Sequence, residues 1–127
     1  MVVPEKLKYS KDHEWVKVEG DVGIIGVTDY AQSELGDIIY LDITTSIGID
    51  VKKGDAIGAI EAVKTVSDVY SPISGRLIDI NLSINDNPSL VNEDPYGEGW
   101  ILKIEPSDIK ELDELLDANA YQKVIGE

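Results

Sequence analysis

Before Pro106 the chain is cut into short apolar runs, rich in Val and Ile, each ended within a few residues by Gly, Asp, Asn or Pro. That punctuation leaves little room for long helices and favours strands joined by tight turns. Glu14 to Glu19 and Val22 to Val27 read as two strands meeting at Gly20-Asp21, a dipeptide suited to a hairpin. Thr28 is placed to cap a short helix through Leu35, with Gly36 as its left-handed stop. Ile38 to Ile43 is expected to be a buried strand, and residues 44–55 a turn-rich connection. Ala56 to Ala62 and Thr65 to Tyr70 read as another strand pair with Val63-Lys64 at the bend. A turn over residues 71–75 leads to a strand from Arg76 to Ile80. The segment from Asn81 to Gly99 is polar and turn-rich, and Trp100 to Ile104 reads as a last strand.

After Pro106 the period changes. Ile109, Leu112, Leu115 and Leu116 share one face of an expected amphipathic helix, and Asp108 with Glu111 fits a capping box. Ala118 to Ile125 reads as a second short helix. The expected fold class is mostly β with peripheral helices, a small barrel or sandwich of short strands. The 127 residues are expected to form one domain, with its core over about residues 9–105 and a C-terminal helical segment over about 107–125. A chain of this length buries roughly two-thirds of its unfolded surface and needs no covalent staples.

The chemistry available is narrow. With 25 acidic and 11 basic residues the formal net charge is -14, a surface that repels phosphate backbones and anionic lipid. Nucleic acid and membrane are therefore excluded as expected partners, while basic patches on other proteins would be attracted; solubility alone explains the charge equally well. There is no Cys, which rules out disulfides, thiolate metal sites and thiol catalysis by the chain itself. The glycines lack phosphate-loop spacing, and the acids lack a calcium-loop spacing, so no metal site is expected. His13 is the only histidine and has no nucleophile beside it, which favours a structural or surface role. Trp15 and Trp100 are expected as core or rim aromatics. The first residues have neither secretion-signal nor transit character, so a cytoplasmic protein, or an already processed organellar one, is expected.

Lys64 stands out by its surroundings. It is the only Lys or Arg between Gly54 and Gly75, near the middle of that span, while Asp55, Glu61 and Asp68 are acidic. A lone lysine at a hairpin tip is accessible to an acylating enzyme, and its four-carbon stem gives reach. By spacing alone, a solvated turn lysine loosely paired with Glu61 or Asp68 is the simpler reading.

The wider sequence adds to this. The run Glu61-Ala62-Val63-Lys64-Thr65-Val66-Ser67-Asp68-Val69-Tyr70-Ser71-Pro72-Ile73-Ser74-Gly75 closely resembles the lipoyl-attachment segment of the glycine cleavage system H-protein family. His13-Glu14-Trp15, Gly26 to Ala31, Leu35 to Ile38 and Asn92 to Trp100 are similar to that family too, in order and spacing. The likeness runs from about Tyr9 to Tyr121 and departs at Ala62 and Thr65, where the family usually has Ser and commonly Ala.

The resemblance implies the hybrid barrel-sandwich of biotinyl and lipoyl carriers, with lipoate in amide linkage to Lys64 and no catalytic residue. It implies a hairpin read through Glu61, Val63 and Asp68 by a lipoate-attaching enzyme, and a resting pocket for the loaded arm near Glu14 and Asp68. The implied partners are the pyridoxal-phosphate-dependent P protein, which loads an aminomethyl group, and the T protein, which passes it to tetrahydrofolate. The flavin-dependent L protein would reoxidise the arm, and the chain itself would be a monomer. Lipoyl donation to other acceptors is a second use within the family. A biotin carrier fits less well, since its lysine typically lies between methionines and the chain's only Met is Met1. A lipoyl domain of a 2-oxoacid dehydrogenase would continue into flexible linkers. An unmodified interaction module with a working acidic surface is the alternative from another class; a hydrolase lacks any assembled triad.

Overall fold

The computed structural model describes residues 1–127. In chain order its strands are β1 (Lys8–Tyr9), β2 (Glu14–Glu19), β3 (Val22–Val27), β4 (Ile38–Ile43), β5 (Asp50–Val51), β6 (Ala56–Ala62), β7 (Val66–Tyr70), β8 (Gly75–Ile80) and β9 (Leu102–Pro106). They form a six-stranded sheet ordered β1-β2-β3-β9-β8-β5 and a three-stranded sheet ordered β4-β6-β7, with every pairing antiparallel. Between the sheets lies the main core, including Val16, Ile25, Leu41, Ile57, Ile60, Val69, Leu77 and Ile104. Burying a side chain of this size is worth about 1.5–3 kcal/mol, so this cluster dominates the stability.

The helix α1 (Asp29–Leu35) begins and ends where the sequence signals it. Thr28 Oγ1 accepts the N–H of Ala31, and the N–H of Gly36 returns to Gln32 O. Gly36 has φ +78° but ψ −154°, a conformation open to glycine that lies outside the left-handed helical basin. The hairpin β2–β3 turns at Gly20-Asp21 with Glu19 opposite Val22, as its turn dipeptide requires.

Several expectations need correction, beginning with the connection over residues 44–55, which contains β5. β4 is buried only at Ile38 and Leu41, because a bulge between Ile38 and Tyr40 turns Ile39 (53% exposed) and Tyr40 (46%) outward. The segment after Asn81 is not merely turns but holds two short helices, α2 (Ser83–Asp86) and α3 (Ser89–Glu93). Trp100 precedes its strand, which runs over Leu102–Pro106 and includes the proline expected to end it. The amphipathic α-helix after Pro106 is instead a 3-10 stretch, Ile109–Glu114. Its capping box does not form. Asp108 does accept the N–H of Lys110, but the Glu111 carboxylate takes both the N–H (2.7 Å) and the hydroxyl (2.8 Å) of Ser74. Charge-assisted bonds to a distant turn outweigh the local one.

The last helix, α4 (Ala118–Val124), is capped by Asp117 and packs on a second cluster made of Leu7, Tyr9, Trp15, Ala118 and Tyr121. Trp15 is fully enclosed there, its indole N–H shared between Val27 O and Pro95 O. Gly26 lies under that indole, where an added Cβ would come within 2.7 Å of the ring. No helix is long and apolar enough to cross a membrane.

Candidate functional site

Lys64 is exposed at the end of the β6–β7 hairpin. Glu61 pairs with Val66, and Ala62 N–H donates to Thr65 O (2.8 Å), leaving Val63 and Lys64 as the two central residues. None of the four ion pairs of the chain includes Lys64. Neither Glu61 nor Asp68 forms a direct ion pair with it. Several exposed apolar side chains lie near it. Val63 is 72% and Val66 60% exposed, and the bulge of β4 adds Ile39 and Tyr40. Tyr40, Glu61 and Val66 are opposite one another across β4, β6 and β7, so they share one outward face.

The stem of Lys64 runs against the loop that follows α1. A Cβ placed on Gly36 would meet Lys64 Cε at 3.4 Å, and Val63 N–H donates to Asp37 O (3.0 Å). Leu35, the residue before Gly36, lines a cleft of about 300 Å³. Its walls include Val27, Ala31, Ile60 and Val69 on the apolar side and His13, Glu14 and Asp68 on the polar side. Asp68 is four residues from Lys64, at most about 14 Å along the chain. The structure therefore brings Glu14 and Asp68 to one cleft whose rim adjoins the lysine turn, while Glu61 and Val63 stay with the turn itself.

Glu14 is buried, with only 2% of its surface exposed. Its Oε1 is bonded to Ser10 Oγ (2.6 Å), and its Oε2 accepts the N–H of Tyr70 at the free edge of β7 (3.3 Å). It makes no ion pair. Burial pushes its carboxyl up to about 8; the bonds from Ser10 and Tyr70 oppose that shift and the neighbouring Asp12 adds to it. Asp68, by contrast, is exposed, and its charge raises the neighbouring Tyr70 phenol.

His13 holds the floor of the cleft in an unusual backbone state. It is the one non-glycine residue with positive φ (70°), its Nδ1 is 2.8 Å from Tyr121 Oη, and its ring lies against Tyr30. Burial lowers its pKa, and the nearby Asp12 and Glu34 carboxylates oppose that shift. Tyr121 Oη also reaches Thr28 Oγ1 (2.7 Å), so α4 ties the cleft floor to the start of α1. Sequence reasoning did not single out Ser10 or Tyr121. Neither carries a local signal, since their partners lie across a turn or 108 residues away. No three His, Asp or Glu side chains are grouped so as to hold a metal.

This geometry can be set beside known proteins. A family model described as "Glycine cleavage H-protein" matches residues 7–127. The chain belongs to the glycine cleavage H-protein family. A glycine cleavage system H protein of Carboxydothermus hydrogenoformans is 49% identical over 126 residues, covering 99% of this chain and 96% of that one. The H protein of Bacteroides thetaiotaomicron is 48% identical, with 99% of both chains covered. The crystal structure of a glycine cleavage system H protein from Mycobacterium marinum superposes with a TM-score of 0.89 at 33% identity, covering 98% of this chain and all of the other. The two-sheet architecture with its C-terminal helix is accordingly the lipoyl-domain barrel-sandwich of the H-protein family.

Proposed function

We propose that the chain is a non-catalytic lipoyl carrier of glycine cleavage, with lipoate in amide linkage to Lys64 Nζ. The observation that carries this reading is the amine itself, exposed on a two-residue turn, free of any ion pair, beside a cleft with apolar walls and a buried carboxyl. The residues fit the group, since the turn offers an acceptor and the cleft offers a place for an apolar arm. Bound lipoate would supply the dithiolane that takes up an aminomethyl group and electrons, chemistry the Cys-free chain lacks.

The chain's own residues would do the rest. Val63 and Glu61 flank the acceptor and, with Asp68, present it to a lipoate-attaching enzyme. Val27, Leu35, Ile60 and Val69 would exclude water from the resting arm. Glu14 and Asp68 would face the cationic amine of the cargo, Glu14 from the floor and Asp68 from the edge of β7. A tethered cargo reaches each partner at high effective concentration without tight docking. Those partners would be the P protein that loads the arm, the T protein that unloads it and the L protein that reoxidises it.

Intact mass after incubation with lipoate, ATP and a lipoate ligase tests the attachment. A gain of one lipoyl amide, lost in Lys64→Ala, is expected; no gain under any lipoylating enzyme would refute it. Glycine-dependent reduction of the modified chain by a P protein then separates glycine cleavage from lipoyl donation to other acceptors.

A further inference from the structure

The lysine turn is poorly equipped to hold its own shape. Two-residue hairpin turns that match strand twist need positive φ, supplied by Gly or Asn. Here the central residues are Val63 and Lys64, and neither has positive φ. Both are exposed, and only Ala62 N–H to Thr65 O closes the turn across the hairpin. Support has to come from outside.

It comes from the loop after α1, through Val63 N–H to Asp37 O, and that loop is held in turn by one side chain. Asn92, on α3, donates from Nδ2 to Gly36 O (2.8 Å) and to Gln32 Oε1 (2.9 Å), and its Oδ1 accepts the N–H of Ile38 (3.1 Å). The carboxamide thus brackets Asp37 on both sides. Only Asn or Gln combines donor and acceptor in this way, and Asn has the shorter stem. Asp would set an oxygen against the Gly36 carbonyl, and Ala would leave both backbone groups unpaired.

We propose that Asn92 is a positioning residue for Lys64, bracing the 36–38 loop in the one shape that both anchors Val63 and lets the lysine stem cross Gly36. Its function is to present the acceptor amine in a single orientation, which lowers the ordering cost when a modifying enzyme docks. The inference rests on the reading of Lys64 as the attachment site.

The test uses the full chain with Asn92→Ala, Asn92→Asp and, as a matched control, Asn81→Ala. Asn81 also donates its amide to two backbone carbonyls, those of Glu98 and Trp100, without touching the 36–38 loop. Amide exchange at Val63 in the unmodified protein is expected to quicken about tenfold in both Asn92 variants while Ile25 in the core keeps its protection. The kcat/KM for lipoylation is expected to fall by a similar factor, and Asn81→Ala to leave both readings near those of the parent. Unchanged exchange at Val63 in Asn92→Asp would overturn the proposal, as would an equal loss of lipoylation in Asn81→Ala. If Asn92→Ala does not fold, Asn92→Asp, which keeps the acceptor toward Ile38, decides. If the parent chain is not lipoylated at all, the carrier reading fails, and Val63 exchange still decides the brace.

Discussion

Replacing Glu14 by Gln should stabilise the chain at pH 8 and leave it nearly unchanged at pH 4.5. Burial raises the Glu14 carboxyl from 4.5 to about 8, so between those values the folded state holds a proton that the unfolded state has released. Stability attributable to this group is therefore complete below about 4.5 and is lost as pH rises through about 8. A tenfold change in proton affinity corresponds to about 1.4 kcal/mol, so the full loss across the window is on the order of 3–5 kcal/mol. That is a large share of the roughly 5–15 kcal/mol that holds a typical domain folded.

Urea unfolding at half-unit intervals from pH 4.5 to 8.5 would measure the effect, with the difference between parent and variant cancelling every other titrating group. Gln is close to isosteric and can still accept from Tyr70 N–H and bond Ser10, so the core is undisturbed. The parent should lose about 1.4 kcal/mol per pH unit relative to the variant in the middle of the window. Parallel curves would show that Glu14 titrates alike in the folded and unfolded chain and would refute the reasoning. If a cation is bound beside Glu14, as the proposed resting site would place it, the slope should flatten, because the ion pair returns the carboxyl toward its ordinary range.

Other consequences follow from close approach and from the hydroxyl network. Gly75→Ala would drive a Cβ into the Glu105 carbonyl and to 2.5 Å from Ile104 Cγ2, forcing β8 and β9 apart. A loss of about 3 kcal/mol or more is expected in urea unfolding, and an unshifted midpoint would contradict the close packing. Tyr121→Phe strips the shared partner from His13 and Thr28 and should cost about 1–2 kcal/mol. It should also let His13 titrate nearer its usual range as the ring gains water, a change that NMR would follow; an unchanged His13 titration would show that the phenol does not hold it.

Local chemistry made much of this fold legible in advance. Thr28 and Gly36 bound their helix because caps act within one turn, and Gly20-Asp21 set a hairpin for the same reason. Two of the misreadings arise where contacts between elements override a local preference. Glu111 leaves its own helix for Ser74, and the apolar run of β4 is twisted outward at Ile39 by a bulge. Lys64 was visible as an isolated cation. Its support by Asn92, on a helix far along the sequence, and the seclusion of Glu14 were not, because both depend on which elements become neighbours.

The placement of Glu14 has a physical logic that joins the fold to the proposed site. β7 is the edge of its sheet, and its Tyr70 N–H needs an acceptor once the two sheets close. An amide or hydroxyl from β2 would satisfy that bond without the desolvation a carboxyl incurs. A chain selected for stability alone has no reason to keep the acid, and its raised pKa marks the size of that penalty. A carboxyl is useful here only if something cationic enters the cleft, and then the same burial that penalises it alone strengthens the pair by excluding water. Held neutral while the cleft is empty and ionised when it is filled, Glu14 would let one position close the sheet edge and receive the cargo.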